Sequence, residues 1–459
     1  MTSSLLLLLD LNGRAVEVGT AYFSRRRNTL STSFEYAPDY LRRKGARAFD
    51  PNFGLYSGKH HTAGLPGALA DSAPDRWGRN LITKKVQAEA ARDGRVPPSL
   101  SDVDFLVGVS DLTRQGALRL QATSGGPFLS PDPGVPKLVE LPRLLRAAEA
   151  VARDGDDLAA IKALLDAGSG SLGGARPKAS VRDETRLLIA KFPHPGDEWD
   201  VMAWEKTALD LAEQAGIDVP RRELLTIDAQ SVLVLERFDR EHEHRIAYIS
   251  AMTLIDGRDG DVRDYIEIAE VLPEHSARTS QDLRELWRRI AFSIVIHNTD
   301  DHLRNHGFLR DRAGWRLSPA FDINPNPNVS EERVTGVGGA RTRADALAAL
   351  MRHAGTFDLT ETDAKQALRE VKETTRSWRA VATANGIDRS EQNRFTDAFE
   401  GLGAAVETLA GAASSRSTAS PGQRRVPRGD DGAGRFAPRA GSKDKPRPDS
   451  QPPYQAELF

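Results

Sequence analysis

The chain has 459 residues, room for about three units at roughly 150 residues each, and its 39% hydrophobic content with 38 glycines excludes a disordered or collagen-like protein. Its 63 Lys+Arg nearly cancel 65 Asp+Glu, for a net charge of −2, so no global basic excess marks a nucleic-acid binder. The absence of cysteine excludes disulfides, thiolate metal sites and cysteine nucleophiles, and it suits a reducing, cytoplasmic setting.

Leu5 to Leu9 is an apolar run too short and too poorly flanked for a secretory core, and it reads as a strand. Asn12-Gly13 is a hairpin signal, with Arg14 to Phe23 as the return strand. Ser72, Pro74 and Asp75 announce a helix running to about Ala91. Glycines and prolines crowd between Thr123 and Pro136, which separates a small N-terminal α/β block, 1–125, from a second block, 137–410.

In the second block, Leu158, Ile161, Leu164 and Leu165 mark a helix stopped at Gly168. A strand is expected from Thr185 to Phe192, a helix from Asp200 to Ala215, and another strand from Val232 to Phe238. From Asp282 to His297 the apolar residues recur at helical spacing, and beyond Asp363 the pattern is helical again. The expectation is therefore an α+β chain with a largely helical C-terminal lobe. Residues 411–459 hold 9 Lys+Arg, 5 Asp+Glu and 7 prolines, a composition that reads as a disordered basic appendage or a weak tether to an acidic partner. No stretch reaches about 18 consecutive apolar residues, so neither a membrane span nor a membrane partner is expected.

Gly168 to Gly174 contains a literal G-x-G-x-x-G, but a helix precedes it and a strand follows, the wrong order for a dinucleotide fold. It reads either as a flexible linker or as a loop that covers nucleotide phosphates with backbone N–H groups. Lys191 interrupts an apolar strand 18 residues after Gly173, and such a lysine needs an anion or water. Glu205 lies on the apolar side of the following helix, where it either meets Lys191 or stays at the edge in water. Asp300 and Asn305 have the D-x-x-x-x-N spacing of a kinase catalytic loop, and Asp322 follows 22 residues later, where a second metal-binding Asp would stand. His297, Asp300, Asp301, His302 and His306 offer a competing transition-metal set, whereas Asn305 and Asp322 supply the hard oxygens that suit magnesium.

Taken together, Ser171 to Lys178, Ala190 to Pro193, Leu235 to Arg240, Asn298 to Asn305 and Leu317 to Asp322 resemble the HipA-type serine/threonine kinases, the toxins of bacterial type II toxin–antitoxin modules. Leu65-Pro66-Gly67 and Asp75 to Arg79 look like the small N-terminal domain of that family. The resemblance implies a protein-kinase-like core that uses ATP and Mg2+. It makes Asp300 the catalytic base, and Asn305 and Asp322 the metal ligands. It implies nucleotide contacts from Gly170, Ser171, Gly173, Gly174, Lys191, Glu205, Glu236, Phe238 and His302. Autophosphorylation would fall on Ser171, with Ser169 as second candidate. The implied partners are a HipB-like helix-turn-helix antitoxin, through which alone DNA is reached, and a protein substrate such as an aminoacyl-tRNA synthetase.

Two departures bear on substrate choice: Arg176 stands where many members have Gln, and Ala247 to Met252 lacks a Gln-containing polar segment. A small-molecule phosphotransferase and a non-catalytic partner- or DNA-binding module are the alternatives on the same fold.

Overall fold

The computed structural model describes residues 4–411, apart from 28, 131–133, 154–156, 172–173, 185 and 243, and of Ser171 only the backbone. Gly173 and the 411–459 tail beyond Gly411 lie outside the described residues.

The chain begins as the hairpin its turn demands. Strands β1 (Ser4–Leu11) and β2 (Arg14–Arg26) pair antiparallel around Asn12 and Gly13, whose φ values of +56° and +80° are those a two-residue hairpin turn requires. Asp10 fixes the turn by accepting the Gly13 N–H at 2.7 Å. Strands β3 (Thr29–Tyr36), β4 (Lys59–Ala63) and β5 (Leu118–Gln121) complete a five-stranded sheet in the order β4-β3-β2-β1-β5.

A second sheet is built from β6 (Lys178–Asp183), β7 (Arg186–Lys191), β8 (Arg222–Ile227) and β9 (Gln230–Glu236), in the order β6-β7-β9-β8. β7 is an inner strand whose burial alternates from Leu187 to Ala190, and Lys191 at its end is buried as well. Helices Leu141–Arg153 and Leu158–Asp166 back this sheet. Helix Val201–Gln214, capped by Asp200 through the Ala203 N–H at 3.0 Å, buries Trp204, Ala208 and Leu211.

From residue 251 onward helices dominate. Thr279–Val295 is the central one, with Leu286, Trp287, Ile290 and Ile294 wholly buried. The 297–306 loop that follows it leads into Gly307–Arg310, the middle strand of a small sheet flanked by Tyr248–Ser250 and Trp315–Leu317. No described helix is long and apolar enough to cross a membrane.

Two hydrophobic cores hold the molecule together, and each draws on both sides of the 125–137 segment. One joins Leu5, Leu7 and Phe34 of the first sheet to Trp204, Trp287 and the C-terminal helices. The other packs Trp77 and Leu81 of helix Arg76–Arg92 against Leu144, Ile161, Ala179, Val181 and Val232. Composition alone marks a boundary there; the packing runs across it.

Candidate active site

β7 ends at Lys191, and helix Val201–Gln214 passes close enough for its Glu205 to reach it. Lys191 Nζ lies 2.6 Å from Glu205 Oε1 and 2.8 Å from Asp322 Oδ1. Glu205 is 1% exposed, so the edge-of-helix alternative is settled in favour of the ion pair. Burial alone would lower the lysine, but Asp322 and Glu205 overcome it and hold the ammonium above its ordinary range. Burial likewise pushes Asp322 up, yet Lys191 outweighs it and keeps that carboxyl down at about 2, fully charged at neutral pH. Asp322 adopts φ +58°, a left-handed conformation uncommon for a non-glycine residue. Its side chain, 28% accessible, is the open member of the triad.

The sequence reading misses the strand β6 and the lysine at its head. Lys178 is the direct register partner of Lys191, so two ammonium groups stand side by side. Lys178 is 2% exposed and donates to Asp75 Oδ2 at 2.7 Å. A Cβ at Gly174 would sit 3.0 Å from Lys178 Nζ and 3.8 Å from Asp322 Oδ2. Gly174, at φ +104°, therefore lets the loop backbone run directly over both charges. Ser169 is wholly buried at the base of this loop, with its hydroxyl donating to the Lys178 carbonyl. The backbone of Ser169–Ser171 forms a short 3-10 turn, and Gly170 abuts helix Arg76–Arg92. Arg176 is engaged with Asp197 at 2.6 Å.

The loop after Thr279–Val295 separates two adjacent carboxylates. Asp300 is exposed toward the open site, and burial of its surroundings raises its pKa, opposed by His302 and reinforced by Asp322 and Asp301. Asp301 points inward, accepting from Tyr265 Oη at 2.6 Å and Ser293 Oγ at 2.7 Å, with His306 Nε2 at 3.0 Å and Arg333 Nη2 at 3.4 Å. Despite its burial, His306 and Arg333 hold it well below the usual carboxylate range. Asn305 is buried and its amide donates to the Asp300 carbonyl at 3.1 Å, which closes the loop on itself.

The competing histidine–carboxylate metal set does not converge. His306 is spent on Asp301 and His297 contacts the Asn328 carbonyl at 3.0 Å, and among the described residues no group of three His, Asp or Glu is placed to hold a metal ion.

The segment from Glu236 to Asp239 is more heavily tied than its sequence suggests. Phe238 packs on Phe321 with ring centroids 5.4 Å apart, beside Asp322, and Glu236 ends β9 opposite Leu188. Between them Arg237 is buried, bidentate to Asp239 at 2.9 and 2.6 Å, and it donates to the Thr113 carbonyl at 2.6 Å. Asp239 also accepts the Gly116 N–H at 2.8 Å. The signal was the Glu-Arg-Phe-Asp-Arg run, in which alternate charges in an apolar context must pair.

Two buried polar atoms near the site, His302 Nδ1 and Asn324 Oδ1, have no hydrogen-bond partner among the described residues. Lys178 beneath Gly174, its register partner Lys191 and an accessible Asp322 form a set that fits a nucleotide phosphate with a hard divalent cation.

Residues 170–378 match the HipA-like C-terminal domain family. Over that segment the chain is similar to the HipA-like C-terminal domain. Its fold is similar to that of the HipA chain in a Shewanella oneidensis complex of HipA, HipB and operator DNA, with a TM-score of 0.61 and 14% identity over 88% of this chain and 97% of that one. It is 28% identical over 194 residues to the Sinorhizobium fredii protein named "Putative kinase Y4dM", covering 39% of this chain and 47% of that protein. It is 27% identical over 170 residues to a Haemophilus influenzae protein named "Putative kinase", covering 33% and 49%. The chain spans about half the length of the curated relatives it matches.

Proposed function

We propose that this HipA-like chain is an ATP- and magnesium-dependent serine/threonine protein kinase acting as the toxin of a type II toxin–antitoxin pair. The observation that carries the reading is the convergence of Lys191, Glu205 and Asp322 within 2.8 Å across 131 residues of sequence, next to the Asp300 loop. Lys191 and Lys178 would hold the phosphates under Gly170, Gly173 and Gly174, and Glu236, Phe238 and His302 would line the rest of the nucleotide. Asn305 and Asp322 would hold magnesium, whose bound charge offsets that building on the phosphates.

This chain's own part in the reaction is positional and electrostatic. Glu205 fixes Lys191, and the Asp301 network fixes the loop from which Asp300 projects. Asp300 accepts the proton of the attacking hydroxyl, a role for which its raised pKa brings it closer to neutrality. Ser171 is the proposed autophosphorylation site, in preference to Ser169, whose hydroxyl is buried against Lys178.

A HipB-like helix-turn-helix antitoxin is the proposed partner and would supply the DNA affinity that a net charge of −2 does not. An aminoacyl-tRNA synthetase is the proposed substrate class. The deciding experiment is incubation with labelled ATP and magnesium, alone and with cell extract. Label on this chain and on a protein substrate supports the proposal, label only on a small molecule favours a small-molecule phosphotransferase, and no label anywhere overturns the reading.

A further inference from the structure

The eight residues from Asp71 to Gly78 touch both halves of the candidate site. Asp71 is buried beside the small sheet, where its carboxylate accepts from Ser250 N–H and Oγ and from Thr253 Oγ1, each at 2.7 Å. The same carboxylate takes Arg304 Nη1 at 3.0 Å, and Arg304 precedes Asn305 in the catalytic loop. Four residues later Asp75 divides its two oxygens between two tasks. Oδ1 caps helix Arg76–Arg92 by accepting the Gly78 N–H at 2.7 Å, and Oδ2 holds Lys178 Nζ at 2.7 Å. Gly78 then presses on the glycine loop itself, since a Cβ there would lie 2.8 Å from Gly170 Cα and 3.0 Å from the Gly170 carbonyl. Trp77, 5% exposed, anchors the segment in the core behind the second sheet.

Resting on the kinase reading above, we infer that Asp75 is a positioning residue for phosphoryl transfer: it sets Lys178 beneath the glycine loop while Asp71, on the same short segment, sets Arg304 in the catalytic loop. The N-terminal block thereby gauges the gap between the phosphate-covering loop and the catalytic loop. Asp75 touches no reacting group; it acts through Lys178. A glycine is required at position 78 for the same reason, because any side chain there would push the loop off its lysine.

The division of labour in Asp75 makes the test clean. In the full chain, Asp75→Asn keeps the side-chain oxygen that caps the helix but presents no charge to Lys178, and Asp75→Ser keeps a capping hydroxyl that cannot reach it. Transfer from labelled ATP is measured for the wild type, Asp75→Asn, Asp75→Ser, Lys178→Met and the double variant Asp75→Asn/Lys178→Met. The expected result is a KM for ATP raised about tenfold in both Asp75 variants, equivalent to one charged hydrogen bond, with kcat changed less and Tm near that of the wild type. In the Lys178→Met background, Asp75→Asn should add little. Wild-type KM in Asp75→Asn, or an effect fully additive with Lys178→Met, overturns the positioning role. If Asp75→Asn does not fold, Asp75→Ser carries the same comparison. Absence of transfer by the wild type instead removes the kinase reading, and this role with it.

Discussion

Lys178 and Lys191 face each other on β6 and β7 as register partners, and each is neutralised from a different part of the chain. Lys191 is held from within the kinase-like core by Glu205 and Asp322, whereas Lys178 is held by Asp75, 103 residues upstream. Two adjacent buried ammonium groups repel each other unless each has its own counter-charge. Three carboxylates around two lysines leave a formal charge of −1 before any phosphate or cation arrives.

Glu205→Gln should separate orientation from charge at Lys191. Asp322 remains as a partner, so the chain stays folded, but the ammonium is free to drift toward Asp322. A displacement of about 1 Å at such a group is worth on the order of 10²-fold in rate. Steady-state transfer from labelled ATP, read beside a thermal melt, checks this: a large fall in rate with a near-native melt is expected.

Asp300→Asn and Asp301→Asn, one residue apart, should fail in opposite ways. Asp300 is exposed, so its replacement leaves the fold intact and removes the proposed general base, an expected loss of about 10²–10⁴ in rate. Asp301 anchors Tyr265, Ser293, His306 and Arg333, so its neutralisation strands buried Arg333 and costs about 3–5 kcal/mol of stability. Denaturant melts and activity on the two proteins give the comparison directly.

The pH profile follows from the direction of the Asp300 shift. As the proposed base, Asp300 works only when deprotonated, and burial raises its pKa. Activity is therefore complete above that raised pKa and is lost as pH falls through it, at a higher pH than an ordinary aspartate would give. Asp322, held down at about 2, contributes nothing to that limb. A kcat/KM profile whose acid limb lies at or below the usual aspartate range would count against Asp300 as the base.

Ser171 should carry phosphate after incubation with ATP and magnesium, as read by mass spectrometry, and Ser171→Asp should bind ATP more weakly than the wild type. A phosphate adds about −1.5 to −2 charge, which the nearby phosphates would repel. Arg176 and Arg304 are both already engaged, with Asp197 and with Asp71 and Asp259, so capture of a phosphoserine by either requires one of those pairs to open. Phosphate confined to Ser169 would sink the assignment.

Local spacing and patterning pointed to candidates, of which the structure joins Lys191 to Glu205 and Asp322. Asp300, Asn305 and Asp322 stand at fixed offsets, and Glu205 betrayed itself by occupying an apolar face. The turn at Asn12-Gly13 and the helices beginning at Asp75 and Asp200 were equally readable, because capping and φ > 0 are requirements of single residues. β6 was not, since Lys178-Ala179-Ser180-Val181 is buried throughout yet has neither alternation nor an apolar run. The Asp75–Lys178 and Asp71–Arg304 pairs span 103 and 233 residues, and no periodicity in one sequence encodes such a meeting. Both cores likewise include residues from either side of the glycine- and proline-rich stretch near 125–137.

That shared packing has a consequence for biosynthesis. Leu5 and Leu7 leave the ribosome long before Leu402, Val406 and Ala410, which belong to the same core. At about 5–20 residues per second, the last of these emerges roughly 20–80 s after the first. Through that interval the nascent chain carries unfinished apolar surface and depends on chaperones or sheer speed to stay out of aggregates. A chain cut before residue 402 lacks the Leu402, Val406 and Ala410 contribution to that core.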